Sequence, residues 1–224
     1  MRTASIYLSV LLTATVAVAG PPMICHPVEV GNAECLPWGS NPFEKSSRFR
    51  TSDIVEATVN VLDGSSSPLV HMETLRRATL YCDGDTRVAT RLIATLMARA
   101  LDAKITGGND AALALLDAGY LAQCYDQFNV PTGLPVGSDD GIVGYAWVQR
   151  SLDLKPDDAE FEFAAAMVTA RGGGSRHDRH VARVRKLAAP DSLVSRNLKV
   201  HAKKYWHQPR HSRDASAGSR RSPG

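Results

Sequence analysis

Few residues in this sequence have the type and spacing to do acid–base or metal chemistry. Histidine is concentrated late, at His177, His180, His201, His207 and His211. His177 and His180 are three apart, which on a helix puts two imidazoles on one face at a metal-capable spacing. Spacing fixes no third ligand, so no metal site is assigned. Cys25, His26 and Cys35 form a second set of ligand atoms, but the haem pattern C-x-x-C-H is absent. Glu73 lies in mid-helix, where burial would raise its pKa toward that of a general acid. With an Asp partner it could serve a glycan hydrolase; Arg76 or Arg77, one turn along, pairs with it more simply. The carboxylate pairs Asp83/Asp85, Asp139/Asp140 and Asp157/Asp158 fall in turns or at helix starts, where Asp caps the helix and suits its dipole. G-x-S-x-G, H-E-x-x-H and phosphate-loop patterns are absent. No catalytic residue and no cofactor is assigned.

Charge is more informative than these motifs. The formal net charge of +3 hides a segregation. Residues 20–170 carry 11 Lys/Arg against 20 Asp/Glu, a net −9, whereas residues 171–224 carry 14 against 3, a net +11. An acidic body with a basic C-terminal quarter reads either as a solvated tail or as a contact for nucleic acid, acidic polysaccharide or an anionic membrane surface. The polyanion reading rests on Lys199, Lys203, Lys204 and Arg210. Only Tyr205 and Trp206 offer stacking there, too little for specific single-strand binding.

The elements that must position these residues are helical. The chain has 224 residues, 44% of them hydrophobic and 22% charged, ordinary globular values that exclude a disordered, collagen-like or coiled-coil chain. Residues 20–48 are irregular, because Pro21, Pro22, Pro27, Pro37 and Pro42 forbid a long helix; Trp38 is expected to anchor this arm on the body. From Ser52, an N-cap candidate, Ile54, Val55, Thr58, Val61 and Leu62 recur on one helical face. Ser67-Pro68 opens a second helix ending at Cys82, and Asp85 or Thr86 caps a third. A fourth, from Asp110 to about Phe128, is apolar on most sides and so is expected to be central. A fifth is predicted over about 138–154 and a sixth from Asp157 or Asp158. Two more are predicted over about 178–188 and 192–206, after a glycine-rich break at 171–175. No segment alternates as a strand bounded by hairpin turns. The expected fold is all-α: seven or eight helices in an antiparallel array, as a repeat-like bundle or a short solenoid. It spans residues 49–207, with a disordered basic tail over 208–224.

Residues 1–19 read as a secretory signal peptide. Arg2 supplies the positive end, Ile6–Val18 is an apolar run too short to span a bilayer, and Ala17-Val18-Ala19 is a small-x-small site placing the mature start at Gly20. The expected location is secreted or periplasmic. Export makes disulfides chemically accessible. Cys25–Cys35, a local loop closure, is the expected bond. Cys82 and Cys124 fall near one end of two next-but-one helices, where either a bond or two small buried hydrophobes would fit.

Gly144, Tyr145, Ala146 and Ser151 put small residues where two helices would cross closely. Leu154-Lys155-Pro156-Asp157 followed by Ala159 to Met167 resembles the turn and next helix of a tetratricopeptide repeat. The resemblance covers residues 142–170. The repeat's early Trp and Leu-Gly pair are not matched, and Gly172–Gly174 interrupts its second helix. What it implies is a scaffold that binds protein segments and does no chemistry. The wider layout, with Pro21 to His26 at its start and the helix His71–Ala78, resembles secreted bacterial all-helical proteins, which implies no activity. The expected function is therefore an exported, non-enzymatic helical scaffold. It would bind a peptide, protein or envelope component in a groove lined by Trp38, Tyr120, Tyr145 and Trp147. The alternatives are an envelope hydrolase acting on glycan or peptide, and a metal- or polyanion-binding module built on the C-terminal His/Arg segment.

Overall fold

The computed structural model describes residues 26–41, 44–106, 109–132, 143–172, 174–204 and 206. Eight helices follow one another: α1 (Ile54–Asp63), α2 (Pro68–Tyr81), α3 (Thr86–Thr106), α4 (Asn109–Gln127), α5 (Tyr145–Leu154), α6 (Ala159–Thr169), α7 (Gly174–Leu187) and α8 (Leu193–Lys204). A 3-10 turn, Thr51–Asp53, precedes α1. The described residues contain no β-strand, only one bridge between Trp38 and Lys45. The fold is the expected all-α array. The signal-peptide segment, Cys25 and the tail from His207 lie outside the described residues.

Two helices form the centre. α4 packs against α2, α3, α5 and α6, and α6 against α2, α4, α5, α7 and α8. Both are alanine-rich and buried nearly all round: Ala111, Ala112, Ala118 and Ala122 on α4, and Phe161 to Thr169 without interruption on α6. Small side chains let several neighbours approach one helix at once, and an element without a polar face must be surrounded. Because α2 touches both central helices, the array is a bundle rather than a one-dimensional solenoid, in which units meet only their neighbours.

The closest crossing is between α4 and α5. Gly144 precedes α5 at φ +78°, and a Cβ there would lie 2.0 Å from the Gly119 carbonyl oxygen; a Cβ at Gly119 would lie 2.6 Å from the Gly144 oxygen. Left-handed backbone and main-chain contact together require glycine. The left-handed Gly144 stands at the N-cap of α5, which begins at Tyr145; residues 138–142 of the predicted fifth helix lie outside the described residues.

The caps differ from expectation in an instructive way. Ser52 does not cap α1; its hydroxyl meets Asp53 on the surface. Ser67 stands at the N-cap of α2, yet its hydroxyl donates to Glu160 Oε2 at 2.7 Å, and that carboxylate also accepts from the Leu69 N–H. Glu160 lies on α6, so α2 is capped by a side chain from a distant part of the chain. Asp85 caps α3 through the Val88 N–H, and Asp158 caps α6 through the N–H groups of Glu160 and Phe161, as helix-start aspartates do.

Candidate functional site

The acid–base candidates are buried and already engaged. Glu73 is 2% exposed. Arg76 donates to both of its oxygens at 2.8 Å, Arg77 Nε donates at 2.7 Å and the Val28 N–H at 3.0 Å. Burial pushes its pKa up, but the Arg76 hydrogen bonds and charge, the Val28 N–H and the Arg77 charge outweigh it and hold the carboxyl below its ordinary range. Glu73 is thus a fixed anion and not a general acid. The simpler pairing with Arg76 and Arg77 is the one the fold makes.

Every described histidine is buried: His26, His71, His177, His180 and His201. His177 and His180 face inward from α7. His177 Nδ1 lies 2.9 Å from the Ala166 carbonyl oxygen. His180 bridges Glu162 and the Tyr145 hydroxyl at 2.7 and 2.8 Å, and Arg183 closes on the other Glu162 oxygen. The i, i+3 spacing therefore builds packing between α6 and α7, and the two rings have separate partners. No cluster of three or more metal-ligating side chains occurs among the described residues.

His71 borders a polar cleft of about 230 Å³ with Asp63, Arg99, Asp110 and Asp117. Its Nδ1 lies 2.7 Å from Asp117 Oδ1 and its Nε2 lies 2.9 Å from the Ser65 carbonyl oxygen. Both partners are acceptors, so this pocket favours the ring with hydrogen on both nitrogens. Burial pulls its pKa down, but the Asp117 charge and hydrogen bond and the Ser65 carbonyl more than offset this, and the net direction is up. With both nitrogens engaged by Asp117 and Ser65, the ring ties α2 to α4 and to the turn before α2. Arg99 and Asp63 pair across the cleft mouth.

The four aromatic residues expected to share a groove do not. Tyr120 is fully buried in the core at 0% exposure and touches no surface. Tyr145 is buried beneath Arg176, whose guanidinium sits 4.7 Å from its ring centroid. Trp147 is half-buried over the small cluster of Ala100, Leu115 and Ala118. Trp38 anchors the arm, edge-on to Tyr81 at 5.4 Å with Arg76 and Arg77 over its ring. Alternating burial on a helix cannot be told from surface aromatics by residue type alone, and α4 is buried on every side.

The three described cysteines are thiols. Cys35, Cys82 and Cys124 are free. The expected Cys25–Cys35 bond has one partner outside the described residues; Cys35 itself sits half-buried with its sulfur 4.0 Å from the Val70 carbonyl oxygen. Cys82 and Cys124 do lie at the same end of α2 and α4, since the Tyr125 hydroxyl reaches Cys82 at 3.6 Å. They form no bond with each other. Burial raises their pKa values to about 11 and about 12, so both behave as small hydrophobes.

What remains accessible is charge. α7 and α8 bury one face each on the body through Val181, Val184, Val194 and Leu198 and turn their cations outward. Lys199, Lys203 and Lys204 are exposed as expected, and Arg210 lies outside the described residues. α7 adds Arg179, Arg185 and Lys186, which the reading based on α8 and the tail missed. Their spacing on the polar face of an amphipathic helix was the available signal. Arg183 and Arg196 are drawn into ion pairs with Glu162 and Glu29, and Lys199 lies 3.7 Å from Asp191. Arg179, Arg185, Lys186, Lys203 and Lys204 have no ion-pair partner among the described residues. No protein-family model, curated protein or solved structure matches the chain.

Proposed function

We propose that this chain is an exported, non-enzymatic helical scaffold that binds a polyanionic envelope component through the outward faces of α7 and α8. One observation carries the reading: the two helices bury their apolar faces on an acidic body and expose five cations that have no ion-pair partner among the described residues. Guanidinium and ammonium groups spread over a surface suit an extended anion that exchanges its counterions for them. The leader-like residues 1–19 support export. The engagement of Glu73, His71 and Glu162 supports a role without catalysis, because none of these groups is open to take or give a substrate proton.

The test is retention on immobilised heparin and the salt dependence of binding. With about five cations in contact, the slope of log K against log salt should be roughly −4, near −0.7 to −0.9 per contact. A Lys199→Gln, Lys203→Gln, Lys204→Gln variant should keep its circular dichroism, elute at lower salt and lose about 2 units of slope. Wild-type protein that flows through heparin at low ionic strength refutes the reading.

A further inference from the structure

The N-terminal arm is held by side chains that read its main chain. On α2, Glu73, Arg77 and Tyr81 stand at i, i+4 and i+8, one stripe of the helix. Glu73 accepts the Val28 N–H, Arg77 donates to the Leu36 carbonyl at 2.7 Å, and the Tyr81 hydroxyl donates to the Pro37 carbonyl at 2.7 Å. From the other side, α8 offers Asn197, 2% exposed. Its Oδ1 accepts the Glu29 N–H at 2.8 Å and its Nδ2 donates to the Glu29 carbonyl at 2.8 Å.

The Asn197 pairing decides what this place can hold. One primary amide can satisfy the N–H and the C=O of the same residue only where both point to one side, as they do in an extended chain. The side chains around Glu29 follow the matching period of two. Val28 is buried at 4% exposure, Glu29 points out to Arg196 Nη2 at 3.0 Å, and Val30 packs back against the core. This is the pattern of peptide recognition: main-chain bonds hold the segment, and alternate side chains enter pockets. The Pro27-to-Val30 segment is bound as a ligand would be: apart from a local turn bond from the Ala33 N–H to the Val30 carbonyl, its main-chain bonds go to side chains of α2 and α8.

We propose that the groove between α2 and α8 is a binding site for an extended peptide of apolar–acidic–apolar sequence, occupied in cis by the chain's own arm. Asn197 and Glu73 read the main chain, the Val28 site takes a β-branched side chain, and Arg196 takes the carboxylate. Asn197 reads the arm from the inward face of α8, whereas Arg196 stands on the outer stripe with Lys199 and Lys203, so the peptide site and the polyanion surface meet at Arg196.

The experiment uses the full chain and a fluorescent peptide of residues 26–34. In wild-type protein the tethered arm competes at an effective concentration on the order of millimolar, so added peptide should not bind measurably. Val28→Asp weakens the arm and should let the peptide bind. Asn197→Ala in that background removes two hydrogen bonds and should weaken binding by about tenfold. A peptide carrying the same Val→Asp change should not bind. If Val28→Asp lowers the thermal midpoint, or unfolds the chain, peptide should restore the midpoint or the helicity in a concentration-dependent way. A wild-type dimer that excess peptide dissociates would also support the site, with the arm of a second copy as its occupant. A Val28→Asp chain that neither binds the peptide nor is restored by it overturns the proposal, and the arm is then an ordinary packed terminus. Val28→Asp leaves Arg179, Arg185, Lys186, Lys203 and Lys204 in place and should still be retained on heparin, so failure of peptide binding leaves the polyanion reading standing.

Discussion

Removing the Glu73 carboxylate should be among the most damaging single changes in this protein. Arg76 is 1% exposed and its guanidinium is paired bidentately with Glu73. Glu73→Ala leaves that charge buried without its counter-ion, a change that costs about 3–5 kcal/mol, and it also strips the Val28 N–H of its acceptor. Arg77, at 21% side-chain exposure, can turn to water and adds little. Against a total stability of about 5–15 kcal/mol, the loss approaches unfolding. For a chain of this size, where 1 kcal/mol corresponds to about 2–4 °C, the thermal midpoint should fall by roughly 6–20 °C. Urea denaturation at pH 7 followed by helical circular dichroism measures it. The double variant Glu73→Met, Arg76→Met removes both charges at similar volume and should recover most of the loss, because a buried ion pair contributes little beyond its apolar replacement. A Glu73→Ala midpoint within about 0.5 kcal/mol of wild type, the range of an ordinary surface change, would refute the assignment of this pair as buried and mutually dependent.

Three further outcomes follow from the geometry. Gly144→Ala puts a Cβ at φ +78° and 2.0 Å from the Gly119 oxygen, so it should displace α5 from α4 and lower the midpoint by more than the roughly 1 kcal/mol expected for glycine-to-alanine strain at φ > 0 alone; unchanged urea stability would contradict the crossing. Asp158→Ala removes the α6 cap and should cost about 1 kcal/mol, measured the same way. Stability should also fall in mild acid. His26 and His201 meet at 5.5 Å between ring centroids, near Arg76 and Glu73 of α2, with Trp206 between His201 and His177 of α7. Burial lowers His26 to about 3 and His201 to about 4, so the unfolded chain binds protons that the folded chain refuses. Stability from these rings is full above the ordinary histidine value near 6.5 and is lost as pH falls toward 4, about 2 kcal/mol for His201 between pH 7.5 and 5. His177, lowered by burial, acts in the same direction. His71 acts in the opposite one, since its raised pKa makes its contribution largest in acid. His201→Leu should therefore flatten the pH dependence of the urea midpoint; an unchanged slope would exclude His201 as its source.

The helical class, most helix boundaries and the centrality of α4 were legible from the sequence, because they follow from local rules. Apolar residues at helical spacing, Pro68 in a first turn, and Asp85 and Asp158 before apolar runs determine where helices start and which face they bury. The pairing of Glu73 with Arg76 and Arg77 was legible too, since i, i+3 and i, i+4 neighbours meet on any helix, and so was the separation of an acidic body from a basic quarter. What only the tertiary structure decided involves partners far apart in the chain. Tyr120 became core instead of groove because α4 is enclosed by four helices. The capping of α2 by Glu160, the joining of His180 to Glu162, and the capture of Glu29 by Asn197 each depend on which helices pack together. A side chain's hydrogen-bonding capacity is written in its type, but whether a metal, a substrate or a neighbouring helix satisfies it depends on what the fold places within about 3 Å, and no local spacing encodes that.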